Sequence, residues 1–332
     1  MPRHLMISQY HQDNCAPAIS VVIPSFNAQA TIIDVLSSLE CQRELEVELD
    51  IILVDDGSSD ETVTLVRDSF PTVRVICQEN AGPAAARNRG VQEATAEWIA
   101  FLDADDRAIS GRLAFQIALT QAFPEVDLWC ADAIVFRSTD EIKTTLKSRV
   151  VEAERFLATP DVSATNQAIL KPEGLVLKND VITSTVLVKR RVFLECGGFD
   201  TAFKGPEDLD LWLRVCGSHK ARKVDVPVVL YQSSFGSLSM DDQRFLPQVL
   251  GVFDKAFSAG GVLAEASNTL KCKAVASQLL SASWMAYSGG ARLRATKLVL
   301  QSMKKYPFKM PWMGCNRAKM VLRYLLMPFR EY

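Results

Sequence analysis

The segment WIAFLDADD, residues 98–106, joins an apolar run to three carboxylates within four positions. The apolar run is typical of a strand that is buried on both faces, as in a parallel sheet. Carboxylates this close together repel one another, so the fold must offset their repulsion. Either an enforced turn or a bound cation would explain the cluster, and the surrounding sequence helps to decide between them.

Apolar runs of the same kind alternate with helical patterns over roughly the first 140 residues. Strands are predicted at residues 19–24, 50–54, 73–76 and 97–102. Helices are predicted at residues 28–41, 59–69, 83–94 and 111–123. This alternation predicts an α/β doubly wound, Rossmann-like domain with a mostly parallel sheet, in which ligands bind beyond the carboxyl ends of the strands.

The pattern divides the chain into three regions. Residues 1–17 are predicted to be a flexible tail, because they lack the apolar stretch of a signal peptide. Residues 18–240 form the α/β domain, whose second half mixes helical patterns with strand-like ones, among them residues 183–188. Residues 241–332 are helical throughout. No run of about 18 apolar residues occurs, so no membrane-spanning helix is predicted.

The composition limits the chemistry that the protein can perform. A net charge of −2 argues against a nucleic-acid-binding protein, which usually carries a basic surplus. The eight cysteines are scattered singly, as expected for reduced thiols of a cytosolic protein. Only three histidines occur, so acid–base or metal chemistry must rest mainly on carboxylates.

Short polar clusters directly follow several of the predicted strands. Three of them are Ser25–Asn27, Asp55–Ser58 and Asp103–Asp106. Because parallel strands end at one edge of a sheet, these clusters should converge. One such cluster alone would favour turn chemistry: Ser58 and Glu61 fit a capping box, and Asn27 could cap the next helix. Three clusters on one edge favour a binding site.

The carboxylates at 103–106 are the candidate metal ligands. On an extended chain, residues two apart point the same way, so Asp103 and Asp105 could face one cation while Asp106 faces elsewhere. Oxygen ligands without histidine or thiolate suit Mg²⁺ or Mn²⁺, which commonly bind substrate phosphates. The D-x-D pattern is weak by itself, and its predicted place opposite Asp55 and Asp56 strengthens it.

A second candidate segment, GGFDTAFKGPEDLDLW, spans residues 197–212. Pro206 suits the first position of a helix, which places Glu207 and Asp208 in the first turn. Acids there could simply complement the helix dipole. Trp212 belongs to an apolar stripe that faces the core. A carboxylate beside its indole could have a raised pKa and act as a general base.

Together these motifs resemble those of the family 2 glycosyltransferases, which have the GT-A fold. The likeness runs from about residue 19 to residue 239, in the family's order and spacing. The motifs are VVIPSFN (21–27), VDDGS (54–58), NAGPAAARNRG (80–90), FLDADD (101–106) and GGFD followed by EDLDLWLR (197–214). The resemblance implies an inverting, hexosyltransferase-type enzyme that moves a sugar from a UDP- or dTDP-sugar to a hydroxyl of a glycan or lipid-linked acceptor, in cell-surface polysaccharide assembly.

The resemblance also implies which residues bind the nucleotide-sugar donor. Pro24, Phe26 and Asn27 would line the donor site, with Phe26 near the nucleotide base. Asp56 would hydrogen-bond the base, and Arg87 would lie near the donor phosphates.

The remaining roles implied by the resemblance fall on acidic residues. Asp103 would contact the donor and, with Asp105, hold a divalent cation, Mn²⁺ or Mg²⁺. Of these two residues, Asp105 would be the better direct ligand of the cation. Asp208 would be the catalytic base that deprotonates the acceptor hydroxyl, and Glu207 would be its neighbour in the catalytic pair.

One segment departs from the family's pattern. Residues 231–239 read YQSSFGSLS, where many relatives read Y-R-x-H-x-x-S-x-S, so Gln232 and Ser234 replace an arginine and a histidine. That histidine can help to hold the metal and the diphosphate, so its replacement predicts a weaker metal requirement. A catalytically silent sugar-nucleotide-binding or scaffold protein therefore stays open as an alternative. A sugar nucleotidyltransferase is disfavoured, because residues 24–28 lack its Gly-rich loop.

The carboxyl-terminal helices combine Lys and Arg with broad apolar faces at 291–300 and 317–328. Trp312, Tyr324 and Phe329 add amphipathic rings. Such helices can lie on a membrane surface, or they can pack on the catalytic domain and present their cations to water. The sequence therefore predicts a cytoplasmic protein, with peripheral binding to the inner face of the plasma membrane as one interpretation of this region. The sugar, acceptor, linkage and oligomeric state are not identified by the sequence.

Overall fold

The computed structural model describes residues 19–43, 49–233, 241–313 and 316–326. The predicted tail at 1–17 and Ser234 lie outside these residues. The strands are β1 (Ile19–Ser25), β2 (Leu49–Asp55), β3 (Arg74–Cys77), β4 (Trp98–Phe101), β5 (Arg107–Ala108), β6 (Leu128–Phe136), β7 (Gln167–Ile169), β8 (Leu187–Lys189) and β9 (Ala221–Gln232). The helices are α1 (Ile32–Arg43), α2 (Thr62–Ser69), α3 (Pro83–Glu93), α4 (Arg112–Ala122), α5 (Thr139–Lys143), α6 (Lys147–Ala158), α7 (Pro172–Leu177), α8 (Arg190–Glu195), α9 (Glu207–Ser218), α10 (Asp242–Phe257), α11 (Asn268–Ser288), α12 (Arg292–Lys305) and α13 (Arg317–Leu326).

The strands form one mixed sheet in the order β3-β2-β1-β4-β8-β6-β9-β5, with β7 also paired to β9. β1 runs parallel to β2 and β4, and β2 runs parallel to β3. The register pairs Ser25 with Asp55 and Val22 with Phe101, so the carboxyl ends of β1, β2 and β4 lie on one edge. Beyond β4 the sheet becomes mixed, because β8 runs antiparallel to both β4 and β6.

Both faces of the parallel strands are buried, which explains their continuous apolar runs. In β1, Val21 and Ile23 belong to the cluster that contains the inward side chains of α1 and α4. Val22 belongs to the cluster on the other face, which contains those of α3 and α9. Successive strand residues point to opposite faces, so each face receives its own helical layer. The predicted α/β doubly wound class is confirmed.

Several predicted element boundaries are corrected by the structure. α1 begins at Ile32 rather than near residue 28, and α2 begins at Thr62 rather than near residue 59. The predicted capping box of Ser58 and Glu61 is therefore wrong. Asp60 satisfies the start of α2 instead, since its Oδ1 accepts the Thr62 N–H at 3.0 Å.

The described residues beyond 241 are mainly helical, as predicted. α10 packs on the main domain through Val249 and Phe253. α11, α12 and α13 share a separate core, in which the rings of Tyr287 and Tyr324 stack with their centroids 4.3 Å apart. Within the described ranges, every helix is too short or too polar to cross a bilayer.

Candidate functional site

The loops that follow β1 and β2 are hydrogen-bonded to each other. Ser58 Oγ accepts the Asn27 N–H at 2.8 Å, and Asn27 Oδ1 accepts the Ser59 N–H at 2.9 Å. Asn27 has a left-handed backbone with φ of 49°, a conformation that asparagine adopts more readily than most residues. Asn27 therefore holds the two loops together rather than capping α1.

A cavity of about 680 Å³ opens at this edge of the sheet, and we call it the first cavity. Every residue predicted to bind donor or metal lines it: Pro24, Phe26, Asn27, Asp56, Arg87, Asp103 and Asp105. The Phe26 ring is 52% exposed, so its face is open to a planar ligand. Gln232 lines the same cavity. The predicted convergence of the three strand ends is therefore observed.

Asp56 is buried and accepts three hydrogen bonds from the loop before α3. Its Oδ1 accepts from Gln78 Nε2 at 2.7 Å and from the Ala81 N–H at 2.9 Å, and its Oδ2 accepts the Gly82 N–H at 2.8 Å. A carboxylate offers about four acceptor positions, so one position on Oδ2 is left for a ligand. Asp56 thus shapes the loop as well as lining the cavity.

The chain after β4 turns rather than staying extended. The Asp106 N–H donates to the Asp103 carbonyl at 3.1 Å, so the extended geometry predicted for Asp103 and Asp105 is wrong. Burial, followed by the Asp103 charge, raises the pKa of Asp105 to about 6. Asp106 is fully buried and accepts the Gln232 N–H at 2.8 Å. Burial, with the Asp103 charge, also raises the pKa of Asp106.

Arg87 connects the turn after β4 to the start of α9. Its Nη2 donates to Asp103 Oδ1 at 2.7 Å, and its Nη1 donates to Glu207 Oε1 at 3.1 Å. Burial opposes the charge on the guanidinium, but the carboxylates of Asp103 and Glu207 outweigh it and raise the pKa of Arg87. A permanent cation therefore lies in the wall of the first cavity.

Glu207 and Asp208 occupy the first turn of α9, as predicted, although Pro206 is the N-cap residue rather than the first helical residue. Glu207 is buried, and its Oε2 accepts the Gly205 N–H at 2.9 Å. Because both of its oxygens are engaged, Glu207 is well placed to hold Arg87 and poorly placed to accept a proton.

Asp208 is half-buried and lines a second cavity of about 440 Å³. Its Oδ1 accepts the Leu209 N–H at 2.6 Å, and its Oδ2 accepts from Thr183 Oγ1 at 3.4 Å. Burial, followed by the Glu207 charge, raises the pKa of Asp208 to about 7. The pKa of Asp208 is thus raised, as predicted, and burial and the Glu207 charge are its main causes. A carboxyl group of this pKa suits a general base at neutral pH.

The first and second cavities are continuous. Gly82, Pro83, Arg87 and Asp103 line both of them. A ligand in the first cavity would therefore meet a ligand in the second beside Arg87 and Asp103, within the space that Asp208 also lines. The arrangement can hold an anionic leaving group on one side and a hydroxyl group on the other.

The candidate ligands for a metal ion in the first cavity are the carboxylates of Asp103 and Asp105. Within the described residues, no three His, Cys, Asp or Glu side chains are arranged to hold a metal ion. The raised pKa of Asp105 reflects burial and nearby negative charge, which a cation would relieve. Mg²⁺ and Mn²⁺ usually take further oxygens from water and substrate phosphates, so Asp103 and Asp105 fit an ion bound together with a phosphate ligand.

Two residues of the site were not predicted. Thr183 contacts Asp208, and the buried Ser184 accepts the Asp103 N–H on its Oγ at 3.0 Å. The sequence at 183–188 predicted a strand, whereas residues 183–185 form a 3₁₀ turn before β8. Nothing in a strand-like pattern indicates a contact with a residue 81 positions away.

The model of the family described as "Glycosyl transferase family 2" matches residues 20–172. A protein of Escherichia coli (strain K12) named "Uncharacterized glycosyltransferase YibD" is 33% identical over 159 residues, which are 45% of this chain and 43% of that protein. The matched part spans between 41% and 61% of the length of three such curated relatives.

Two solved structures are similar to the fold. S. aureus TarS 1–349 in complex with UDP-GlcNAc has a TM-score of 0.60 at 16% identity, covering 92% of this chain and 89% of that one. Mannosyltransferase PcManGT from Pyrobaculum calidifontis, in complex with GDP-Man and Mn²⁺, has a TM-score of 0.53 at 21% identity, covering 94% of this chain and 86% of that one. These similarities cover the sheet and the helices that follow it, so the predicted fold class with its carboxyl-terminal helices is confirmed.

Proposed function

We propose that this protein is an inverting glycosyltransferase, because the model of glycosyl transferase family 2 matches residues 20–172. It moves a sugar from a nucleotide-sugar donor to a hydroxyl of a glycan or lipid-linked acceptor in cell-surface polysaccharide assembly. Residues 18–240 act as the catalytic domain, and residues 241–332 are a helical region on the acceptor or membrane side. The observation that carries the proposal is the place of Asp208, which lines a cavity continuous with one of a size and lining that suit a nucleotide sugar.

The first cavity suits the nucleoside diphosphate of the donor. The exposed Phe26 ring offers a face to the base, and Asp56 keeps one acceptor position for a base N–H. Arg87 lies where the diphosphate would follow, and a guanidinium pairs strongly with phosphate oxygens. Pro24 and Asn27 complete this wall.

Asp103 and Asp105 are the residues that would hold Mn²⁺ or Mg²⁺ beside the diphosphate. Asp105 is the better direct ligand, because Asp103 is already paired with Arg87 at 2.7 Å. When bound, the cation supplies positive charge that stabilises the leaving diphosphate. Arg87 supplies charge at the same place, which supports a weak rather than an absolute metal requirement.

Asp208 is the proposed general base. Its pKa of about 7 keeps a large fraction ionised at neutral pH while it remains basic enough to take a proton from a hydroxyl. As the proton moves to Asp208, the acceptor oxygen bonds to the anomeric carbon and the bond from that carbon to the diphosphate breaks. Attack from the second cavity, opposite a leaving group in the first, inverts the anomeric configuration. Glu207 positions Arg87 in this scheme.

A second candidate is a catalytically silent sugar-nucleotide-binding or scaffold protein. Gln232 favours it, because it lines the first cavity at the position where the family pattern has an arginine. A sugar nucleotidyltransferase is supported less, because the loop at 24–28 is not glycine-rich. Nucleotide binding without any turnover would favour the silent binder.

Donor binding can be tested by thermal unfolding with UDP-, dTDP- and GDP-sugars, each with and without Mn²⁺. We expect a UDP- or dTDP-sugar to stabilise the protein, and a ligand at about 100 times its Kd adds roughly 2.7 kcal/mol. Asp105→Asn should remove the extra stabilisation given by Mn²⁺ and keep that given by the nucleotide. The matched control is Asp254→Asn, an exposed carboxylate on α10. Stabilisation by none of the nucleotides would contradict the proposed function.

An anionic membrane surface is the proposed partner of the carboxyl-terminal helices. Residues 266–330 contain 12 Lys and Arg and no Asp or Glu. Exposed large apolar side chains also lie in this part: Trp284, Leu293, Leu300, Phe308 and Leu322. Cations combined with exposed apolar side chains suit the interface of an anionic bilayer. The location that this predicts is the cytoplasmic face of the plasma membrane, with the protein peripheral to it.

A further inference from the structure

A third cavity, of about 520 Å³, lies between the main domain and the carboxyl-terminal helices. It shares Asn179, Asp208 and Phe245 with the second cavity, so the two are continuous at the proposed base. The proposed donor site, the base and this third cavity thus form one connected path. A molecule that presents a hydroxyl to Asp208 from the second cavity can extend into the third.

The wall on the helical side comes from one face of α11. Gln278, Ser281 and Met285 line the cavity and repeat at i, i+3 and i+7, which places them in one stripe along the helix. All three are partly exposed, so their side chains are accessible to a ligand. The helical region therefore builds part of the cavity.

The third cavity is lined by fewer charged side chains than the second. The second cavity contains the charged groups of Arg87, Lys204 and Glu207. The third has Asp208 at the shared boundary and Lys178 as its charged members, and its walls are mainly apolar. Leu177, Val249, Met285 and Met313 are among these apolar residues. Methionine side chains adapt to apolar ligands of irregular shape.

On the basis of the proposed function, we infer that the third cavity binds an apolar aglycone of the acceptor, an alkyl chain attached to the sugar whose hydroxyl lies at Asp208. The sugar occupies the second cavity, where most of the charged side chains lie and can hydrogen-bond it. The uncharged Gln278 and Ser281 suit the linkage between sugar and chain, because they can hydrogen-bond it without a charge. The chain then packs among the leucine, valine and methionine side chains.

The inference can be tested on the full chain with methionine methyl groups labelled with ¹³C. The probes are n-octyl β-D-glucoside below its critical micelle concentration and methyl β-D-glucoside at the same concentration. Met285→Leu and Met313→Leu assign the two resonances. We expect the octyl glucoside to shift both methyl signals in a saturable way and the methyl glucoside to shift neither.

Two variants make the test specific. Ser281→Phe fills the cavity and should abolish both shifts, whereas Gln301→Phe adds the same ring at an exposed position of α12 and should leave them intact. Shifts of equal size with both glucosides would indicate a saccharide site and overturn the inference, and so would no shift with either. Failure of the proposed function is read separately, from the absence of stabilisation by any nucleotide sugar.

Discussion

Asp103, Asp105 and Asp106 lie within four positions, yet each carboxylate has a different environment. Asp103 is paired with Arg87, 16 positions earlier, and Asp106 accepts a backbone N–H from Gln232, 126 positions later. Asp105 lines the first cavity, where burial and the Asp103 charge raise its pKa to about 6. The turn thus brings three carboxylates together, and two of them, Asp103 and Asp106, have hydrogen-bond donors from distant parts of the chain. The negative charge left at Asp105 is what a cation would offset.

At the proposed base, Asp208→Asn tests catalysis without changing side-chain volume. We expect kcat to fall about 10²- to 10⁴-fold, because the general base is removed. Stabilisation by the donor nucleotide should stay unchanged, since Asp208 lies outside the first cavity. Steady-state kinetics and thermal unfolding measure the two effects. Turnover that survives in Asp208→Asn would show that another group takes the proton.

The raised pKa of Asp208 also makes activity and stability depend on pH. The rate at limiting acceptor should fall about tenfold for each pH unit below pH 7, because only the ionised carboxylate accepts the proton. The folded pKa of about 7 exceeds the ordinary value of 3.8, so between these values the folded state binds more protons than the unfolded state. The stability contribution of Asp208 is therefore present near pH 4 and lost as pH rises through 7. Asp208→Asn should raise Tm at pH 8 and barely change it at pH 4, and equal effects at the two pH values would contradict this assignment.

The residue identities in the candidate site could be predicted from the sequence, but several of their contacts could not. Strand ends in a parallel sheet must share an edge, so the clusters at 25–27, 55–58 and 103–106 could be placed together. The bond between Arg87 and Glu207 joins residues 120 positions apart, and no local pattern indicates it. For the same reason the sequence grouped Glu207 with Asp208, although Glu207 contacts Arg87 and the Gly205 backbone.

At the scale of elements, one buried carboxylate of α9 links the helix to two neighbouring segments. Asp210 pairs with Arg214 at 2.6 Å and with Lys255 of α10 at 2.9 Å, and its side chain is 4% exposed. Arg214 also donates to the Gly198 carbonyl at 2.8 Å. The segment that carries Asp208 is thus tied both to the loop before it and to the carboxyl-terminal helices.

Removing the buried Asp210 should lower the free energy of unfolding more than removing its more exposed partner Lys255. Asp210→Ala leaves Arg214 without its buried carboxylate, and we expect it to lower the free energy of unfolding by roughly 3 kcal/mol. Lys255→Met removes a cation that is 42% exposed and should cost about 1 kcal/mol or less. Urea unfolding of the two variants gives the comparison. Equal losses would mean that Asp210 is not the centre of the network.

Strands and helices could be predicted from the sequence where their burial requires a continuous or regularly spaced set of apolar residues. β1, β2 and β4 are buried on both faces, and their apolar runs follow from that. In α6, by contrast, Ala153 and Leu157 are the buried residues, so its apolar stripe is too thin to recognise in the sequence. The strand predicted at 183–188 overlaps β8 only at residues 187 and 188, because the pairing with β4 and β6 that sets the bounds of β8 is not encoded in a local pattern.

At the scale of the whole molecule, charge is strongly segregated along the chain. The whole chain has a net charge of −2, and residues 266–330 carry 12 Lys and Arg without Asp or Glu, so the remaining residues have a net charge of −14. Two of these cations form salt bridges within the protein: Arg294 pairs with Asp242, and Lys271 pairs with Asp254. The sequence alone gives this segregation, but which apolar side chains stay exposed beside the cations follows from the packing of α11, α12 and α13.

The positive charge of residues 266–330 predicts that the protein binds anionic lipid in preference to zwitterionic lipid, and liposome flotation measures this preference. The protein should float with liposomes that contain anionic lipid, remain in the soluble fraction with purely zwitterionic liposomes, and be released as salt screens the attraction. Leu293 and Leu300 lie seven residues apart on one face of α12 and are 82% and 51% exposed. Changing both to Glu removes inserted apolar area and adds negative charge, so we expect at least a tenfold loss of partitioning.

The matched control for this loss is Leu194→Glu, which adds a carboxylate at a leucine that is 42% exposed on α8 of the main domain. It should float like the unchanged protein, because binding depends on the carboxyl-terminal face and not on overall charge. A purified protein that stays soluble with anionic liposomes at low salt would exclude the membrane as the partner of these helices. If Leu194→Glu on α8 lost as much liposome binding as the α12 variant, binding would depend on the net charge of the protein and not on the carboxyl-terminal face.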